Sequence, residues 1–236
     1  RLWVFFGTGR FYGTSDKTNT DTQYFFGVKD PVVTNGCTQS SVTSCQKNNL
    51  LNVSAVTVCT VCAGGANQVS GVAGVTTFSG TATTTLEGMV QSLDGWYTTL
   101  PTSGERSLSP PVILGGTVFF TTFTPSSDIC SSGGTGNVYA LFYKTGSANK
   151  EPVIGTYTGT GGGASNAACA GSSTCVSRAM GLGAGLPSQM AVQIGAQGTG
   201  ASGSASGSGC TGRATLISQA STGAMNQLCS KPALSS

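Results

Sequence analysis

Between Gly104 and Tyr157 the chain alternates short apolar runs with polar turns, at a spacing too tight for helices. PPVILGG closes on a Gly-Gly turn, and TVFFTTFTP is aromatic and β-branched. NVYALFYKTG alternates and ends on Lys-Thr-Gly, and EPVIGTY makes a fourth run. Runs of this length, rich in Val, Phe, Thr and Tyr and bounded by Gly, Pro, Asn and Ser, predict strands. The pattern recurs. Upstream, RLWVFFGTGRFYG matches the second run and TQYFFGVKDP the third, with DGWYTTLP as a candidate fourth. Downstream, SQMAVQIGAQ, RATLISQAST and TGAMNQL match the first three. An antiparallel four-strand unit of about 50 residues, met repeatedly, is the building block of a β-propeller.

The expected fold is therefore all-β: a partial β-propeller with quinoprotein-like four-stranded antiparallel blades and disulfide-stapled loop insertions. Residues 1–33 and 87–103 are read as a first, incomplete blade, with 34–86 as a Cys-rich insertion. Residues 104–157 form a complete blade, and 158–236 supply loops and an incomplete last blade. The opening strand of the first blade and the closing strand of the last are missing in this reading, which predicts exposed sheet edges and a chain that does not fold as a free monomer. No helix is predicted. Alternating aromatics in adjacent strands fill the space between blades more often than they form a stacking platform for nucleic acid or sugar. Phe119, Phe120, Phe123, Tyr139, Phe142 and Tyr143 are accordingly assigned to packing, and Trp96 to a wedge between blades. Glu105 and Arg106, just before the central unit, are expected to form a local ion pair or a capping bond at its edge.

Composition narrows the class. Charged residues make up 8 % of the 236, against about 25 % in an average soluble domain. Gly, Ser and Thr take their place, with 36 Gly alone, as is usual for extracellular β proteins. A net charge of +3, dispersed along the chain, argues against nucleic acid or anionic lipid as a partner. No apolar run approaches the roughly 18 residues of a membrane span. Arg1 opens directly into a strand, with no initiator Met and no signal peptide, which suggests a mature or fragmentary product.

Nine cysteines in a chain without His point to disulfides formed in an oxidising compartment. Cys37, Cys45, Cys59 and Cys62 share the first insertion and are expected to pair among themselves. Three connectivities are open. Nested bridges, Cys45 to Cys59 and Cys37 to Cys62, are favoured around LLNVSAVTV. Cys169 with Cys175 would close a Gly/Ser-rich loop, Cys210 with Cys229 would staple the last hairpin, and Cys130 is left unpaired or intermolecular. The tract GAQGTGASGSASGSG has linker composition.

Catalysis has few footholds. Without His there is no Ser-His-Asp or Cys-His arrangement, and eight scattered carboxylates offer no pair for glycoside hydrolysis. The Gly-rich tracts lack the Lys-Ser/Thr of a P-loop. TSDKTNTD has Asp16, Thr18, Asn19 and Asp21 but neither the central Gly nor the closing Glu of an EF-hand, and reads as a turn. No cofactor or metal-ligand set is assigned.

The central unit also carries a family resemblance. GERSLSPPVILGGTVFFTTFTPSSDICSSGGTGNVYALFYKTG resembles the C-terminal propeller of the PilY family, the type IV pilus tip-associated adhesins and biogenesis factors. FFGTGRFYGTSDKTNTDTQYFFGVKD, DGWYTTLP, GLPSQMAVQIG and STGAMNQLC resemble the same family in the same order. The tracts 34–86 and 195–209 fall outside the likeness and read as insertions. The family's large N-terminal region, often with an integrin-like metal-binding domain, has no counterpart here, and neither has its Asp-rich calcium loop. The resemblance implies a non-enzymatic pilus tip adhesin or biogenesis module, exported through the periplasm to the cell surface. Its expected partners are the remainder of a PilY-like precursor or another chain completing the ring, pilins or minor pilins, and a surface or host ligand. A quinoprotein-like oxidoreductase or scaffold domain is the alternative, although the adjacent Cys-Cys pair of many such sites is missing. A structural subunit of an extracellular filament is a third option.

Overall fold

The computed structural model describes residues 2–30, 49–62, 68–126, 133–156, 163–164, 166–168, 174–194 and 214–230. Cys37, Cys45, Cys130, Cys169, Cys210 and the tract 195–209 lie outside them. About half of the described residues, 49 %, lie in strands, which are arranged in four sheets.

The first sheet runs in the order Trp3–Gly7, Tyr24–Lys29, Gly95–Thr99, Leu50–Asn52. Its first three strands are antiparallel, and Leu50–Asn52 lies parallel to Gly95–Thr99. The central sheet has the order Ala179–Ala184, Gly134–Phe142, Thr117–Pro125, Arg106–Ser107, with Val112–Leu114 also pairing to Thr117–Pro125. The third sheet orders Gly163–Ala164, Ile154–Thr156, Met225–Ser230, Ala214–Gln219 and Ala191–Ile194. A smaller fourth joins Asn166–Ala168, Thr174–Val176, Thr57–Val61 and Val69–Ser70.

Packing explains why the middle of the chain reads as it does. Thr117 to Phe123 are all buried, because apolar cores lie on both faces of their sheet. Val118, Phe120, Tyr139 and Leu141 enter one core with Phe25 and Trp96 of the first sheet. Phe119, Val138 and Ala140 enter a second with Val153, Ile154, Met190, Leu216 and Leu228. Thr117, Thr121 and Thr122 are tolerated because their hydroxyls bond internally, whereas the buried Thr124 hydroxyl finds no partner. Thr121 donates to Ser188 O and Thr122 to the Glu105 carboxylate, while Thr117 accepts from Asn149. A buried hydroxyl left without a partner would cost about 1–3 kcal/mol.

Several expectations are corrected. Ile154–Thr156, read as the fourth strand of the central unit, pairs instead with Met225–Ser230 of the third sheet. There Ile154 is buried beside Leu216 and Leu228. Its place is taken by Ala179–Ala184, which pairs with Gly134–Phe142. Leu86–Ser92 is an α-helix, where none was predicted. Thr85 caps it by accepting from Gly88 N at 3.1 Å, and Leu86 and Val90 fasten it to the core.

The described part of the tract 34–86 carries the strands Leu50–Asn52, Thr57–Val61 and Val69–Ser70 and feeds the core. Val53, Val56, Val58, Val69, Val75 and Phe78 are buried in the first core. Strand Thr57–Val61 pairs with Thr174–Val176, so the tract is not a self-contained insertion.

Candidate functional site

Cys59 and Cys62 are bonded to one another, which overturns the nested pairing to Cys45 and Cys37. Cys59 lies in Thr57–Val61 and Cys62 follows directly on it, with the two Cα atoms 5.5 Å apart, inside the usual disulfide range. Cys175 is disulfide-bonded as well, and it stands opposite Cys59 in the strand register. Cys229 lies in Met225–Ser230.

Glu105 and Arg106 do not pair with each other. Both are buried, at 1 % and 3 % exposure, and each has its own set of partners. The Glu105 carboxylate accepts from Tyr139 Oη at 2.9 Å, Asn137 Nδ2 at 3.2 Å, Thr122 Oγ1 and the Thr102 backbone N–H. Burial first, and then this neighbouring carboxylate, push the Tyr139 phenol well above its ordinary pKa. Arg106 donates to the carbonyls of Gly104, Arg10, Asp16 and Asn19. Its guanidinium thereby gathers the 10–19 loop onto the edge of the central sheet. Both residues act as anchors.

The polar loop is closed in the same way. Thr14–Lys17 is a single 3-10 turn. Asp16 accepts from the backbone N–H groups of Tyr12 and Gly13 and from Arg10 Nε. Those backbone bonds are the main reason its carboxyl is held below the ordinary aspartate range. Asn19 forms an Asx turn with Asp21 N.

Trp96 is fully buried between the first and central sheets. Its indole N–H donates to Tyr143 O at 2.9 Å, and its ring lies near Phe5 and Phe25. A methyl group at Gly27 or Gly146 would overlap the ring, so both glycines leave room for it. Arg178, which no sequence signal singled out, donates to Val53 O, Ser54 O and Thr98 Oγ1.

Among the described residues, the outer face of the first sheet has the character of a binding surface. Leu2, Val4 and Phe6 are 55 %, 50 % and 44 % exposed. Phe6 stacks on Phe26 at 5.1 Å, and Phe26 touches Tyr24 and Tyr97. An aromatic and aliphatic strip thus crosses three strands, whereas both faces of the central sheet are covered. Contiguous apolar surface of this kind marks interaction sites. Burial alternates along Trp3–Gly7, and none of these strip residues was assigned a role from the sequence.

The fold defined by these sheets is an all-β assembly, and it is shared with a solved bacterial structure. The crystal structure of the Pseudomonas aeruginosa PilY1 C-terminal domain aligns over 98 % of this chain with a TM-score of 0.55 and 15 % identity. The chain covers 42 % of that domain. Two curated relatives, both type IV pilus biogenesis factor PilY1 homologs of Xylella fastidiosa, are 30 % identical over 170 residues and 26 % identical over 155. No family model matches the chain. The chain belongs to the PilY family. It spans about a tenth of the curated relatives it matches, 12 % and 9 % of their lengths.

Proposed function

We propose that the chain is a non-enzymatic, type IV pilus-associated module. In this reading its stacked sheets are blades of a propeller completed by further sheets, from the rest of a PilY-like protein or from a partner chain. The observation that carries the reading is the open outer face of the first sheet. Phe25 of its inner face stacks on Phe120 of the central sheet at 3.6 Å, and the outer face offers Phe6, Phe26 and Tyr97 in the same style. One more sheet of similar composition would bury it. The names of the two curated relatives support the pilus association.

The working location is the cell surface or the pilus, reached through an oxidising compartment, in keeping with the disulfide and the low charge. Pilins or minor pilins are the expected partners, and surface attachment the expected task. Among the described residues no helix is long and apolar enough to cross a membrane. The test is to delete residues 1–236 from the protein as its host makes it, then count surface pili and attached cells. Loss of both is the expected result. Wild-type piliation and attachment would refute the proposal.

A further inference from the structure

A second feature lies at the opposite side of the first sheet from the open face. A cavity of about 450 Å³ opens where Trp3, Tyr143 and the helix Leu86–Ser92 meet, and Lys29, Glu87, Gln91 and Lys144 also line it. Its volume falls within the usual range for small-molecule sites. Two of its walls are aromatic. The Trp3 and Tyr143 rings are 6.2 Å apart and nearly perpendicular, at 76°.

These walls are held before any ligand arrives. Tyr143 N donates to Gly116 O, and Tyr143 O accepts from the buried Trp96 indole. Trp3 is stacked along its strand on Phe5 at 5.9 Å. A preorganised wall lowers the entropic cost of binding.

The lining carries two lysines and one carboxylate, and each lysine already has partners. Lys29 is buried and gives its ammonium protons to the carbonyls of Val90, Gln91 and Leu93, at 2.6, 3.0 and 2.6 Å. It thereby closes the C-terminal end of the helix, where cations are favoured. Lys144 is held 3.7 Å from Glu87. Each cation is therefore already opposed by an anion or by carbonyl oxygens, which disfavours an anionic ligand. A purely apolar ligand is disfavoured too, because it would strip water from Glu87, Gln91 and Lys144 without replacing their hydrogen bonds.

We infer that this cavity binds a neutral pyranose, the terminal or internal unit of a glycan. A pyranose combines a C–H face that can lie on the aromatic walls with hydroxyls that can bond to Glu87, Gln91 and Lys144. The ammonium groups of Lys29 and Lys144 stand beside those walls, 5.6 Å from the Trp3 centroid and 5.8 Å from the Tyr143 centroid. Rings with an apolar body and a polar rim suit such a corner. The inference stands apart from the pilus reading, since it rests on the cavity alone.

The chain has two tryptophans, and Trp96 is sealed in the core, so Trp3 reports on the cavity. The experiment titrates the purified protein with methyl β-galactoside, methyl α-mannoside and N-acetylglucosamine, followed by tryptophan emission and calorimetry. Glucuronate and inorganic phosphate serve as charged probes. At least one neutral sugar is expected to saturate with a Kd on the order of 1 mM and to shift Trp3 emission to the blue. Trp3→Phe removes the emission change, and Tyr143→Ala weakens binding about tenfold or more in calorimetry. Gln91→Ala, at an exposed position, should weaken it severalfold with an unchanged melting temperature, which covers the case in which Tyr143→Ala fails to fold. The inference is overturned if no neutral sugar binds by about 100 mM. It is overturned equally if the Gln91→Ala protein binds like wild type, or if glucuronate or phosphate binds more tightly than every neutral sugar.

Discussion

Phe119 and Phe120 are neighbours in one strand, yet they enter different cores. Phe120 lies in a stack of rings, 3.6 Å from Phe25 and 4.9 Å from Tyr139, and Trp96 is wedged nearby with its N–H satisfied. Phe119 is as deeply buried, but its neighbours are Val138, Val153, Ile154, Met190, Leu216 and Leu228. The first interface is directional: rings, an indole hydrogen bond and the Arg178 clamp each demand one geometry. The second relies on apolar area, which has no preferred direction. Two sheets joined in the first manner should tolerate less change in shape than two joined in the second.

The largest expected loss is at the wedge. Trp96→Ala should destabilise by about 3–5 kcal/mol, the usual cost of emptying a buried aromatic site, and denaturant melting would measure it. Tyr139→Phe comes next. It removes a donor to the buried Glu105 carboxylate and should cost about 1.5–3 kcal/mol, although the ring stack is kept.

Gly27→Ala then tests the fit around Trp96 by its sign. In an ordinary strand the change stabilises by about 0.5–1 kcal/mol. Here the added methyl meets the indole, and a loss of about 1–3 kcal/mol is expected. A gain would break the account of this interface.

The Phe119 and Phe120 pair offers the comparison itself. Phe120→Leu should cost about 0.5–1.5 kcal/mol more than Phe119→Leu, since it forfeits aromatic contacts as well as area. Equal losses in parallel melts would show that the two faces do not differ in kind.

The smallest effect is electrostatic. The folded-state pKa of Asp16 is depressed, so its contribution is present above the unfolded value, near 3.9, and is lost as pH falls through the folded value. Asp16→Asn should flatten the stability-versus-pH curve below about pH 4 and leave its shape at neutral pH unchanged. An identical acid limb in the variant would count against this role.

Legibility in the sequence followed the same divide. Thr117–Pro125 and Gly134–Phe142 were readable because aromatic and β-branched residues occur in runs of strand length. The packing role of Trp96 was readable too, since large aromatics in such runs are core residues. Ala179–Ala184 was not, because Ala, Gly and Met carry little strand preference; its place in the sheet comes from tertiary pairing. Helix Leu86–Ser92 has seven residues with Gly88 in the middle, too short for a periodic pattern. Gly88 is there because a Cβ would meet the carbonyl of Ala82. LLNVSAVTV, which holds Val53, Val56 and Val58, stood out as an apolar segment, but its pairing with Gly95–Thr99 and Thr174–Val176 is tertiary and left no local sign. At the candidate sites RLWVFFGTGRFYG was readable as a strand, but which of its faces stays open was not. The cavity was not, since Trp3, Glu87 and Tyr143 are far apart in sequence and are joined only by the fold.

The central claim is that the outer face of the first sheet is an interface. Light scattering on residues 1–236, over a range of concentrations and beside a Val4→Lys/Phe6→Lys double variant, tests it most directly. The account predicts that the wild-type chain associates as concentration rises and that the variant associates less. A wild-type chain that stays monomeric and melts in one cooperative step, unaltered by the two lysines, would contradict it.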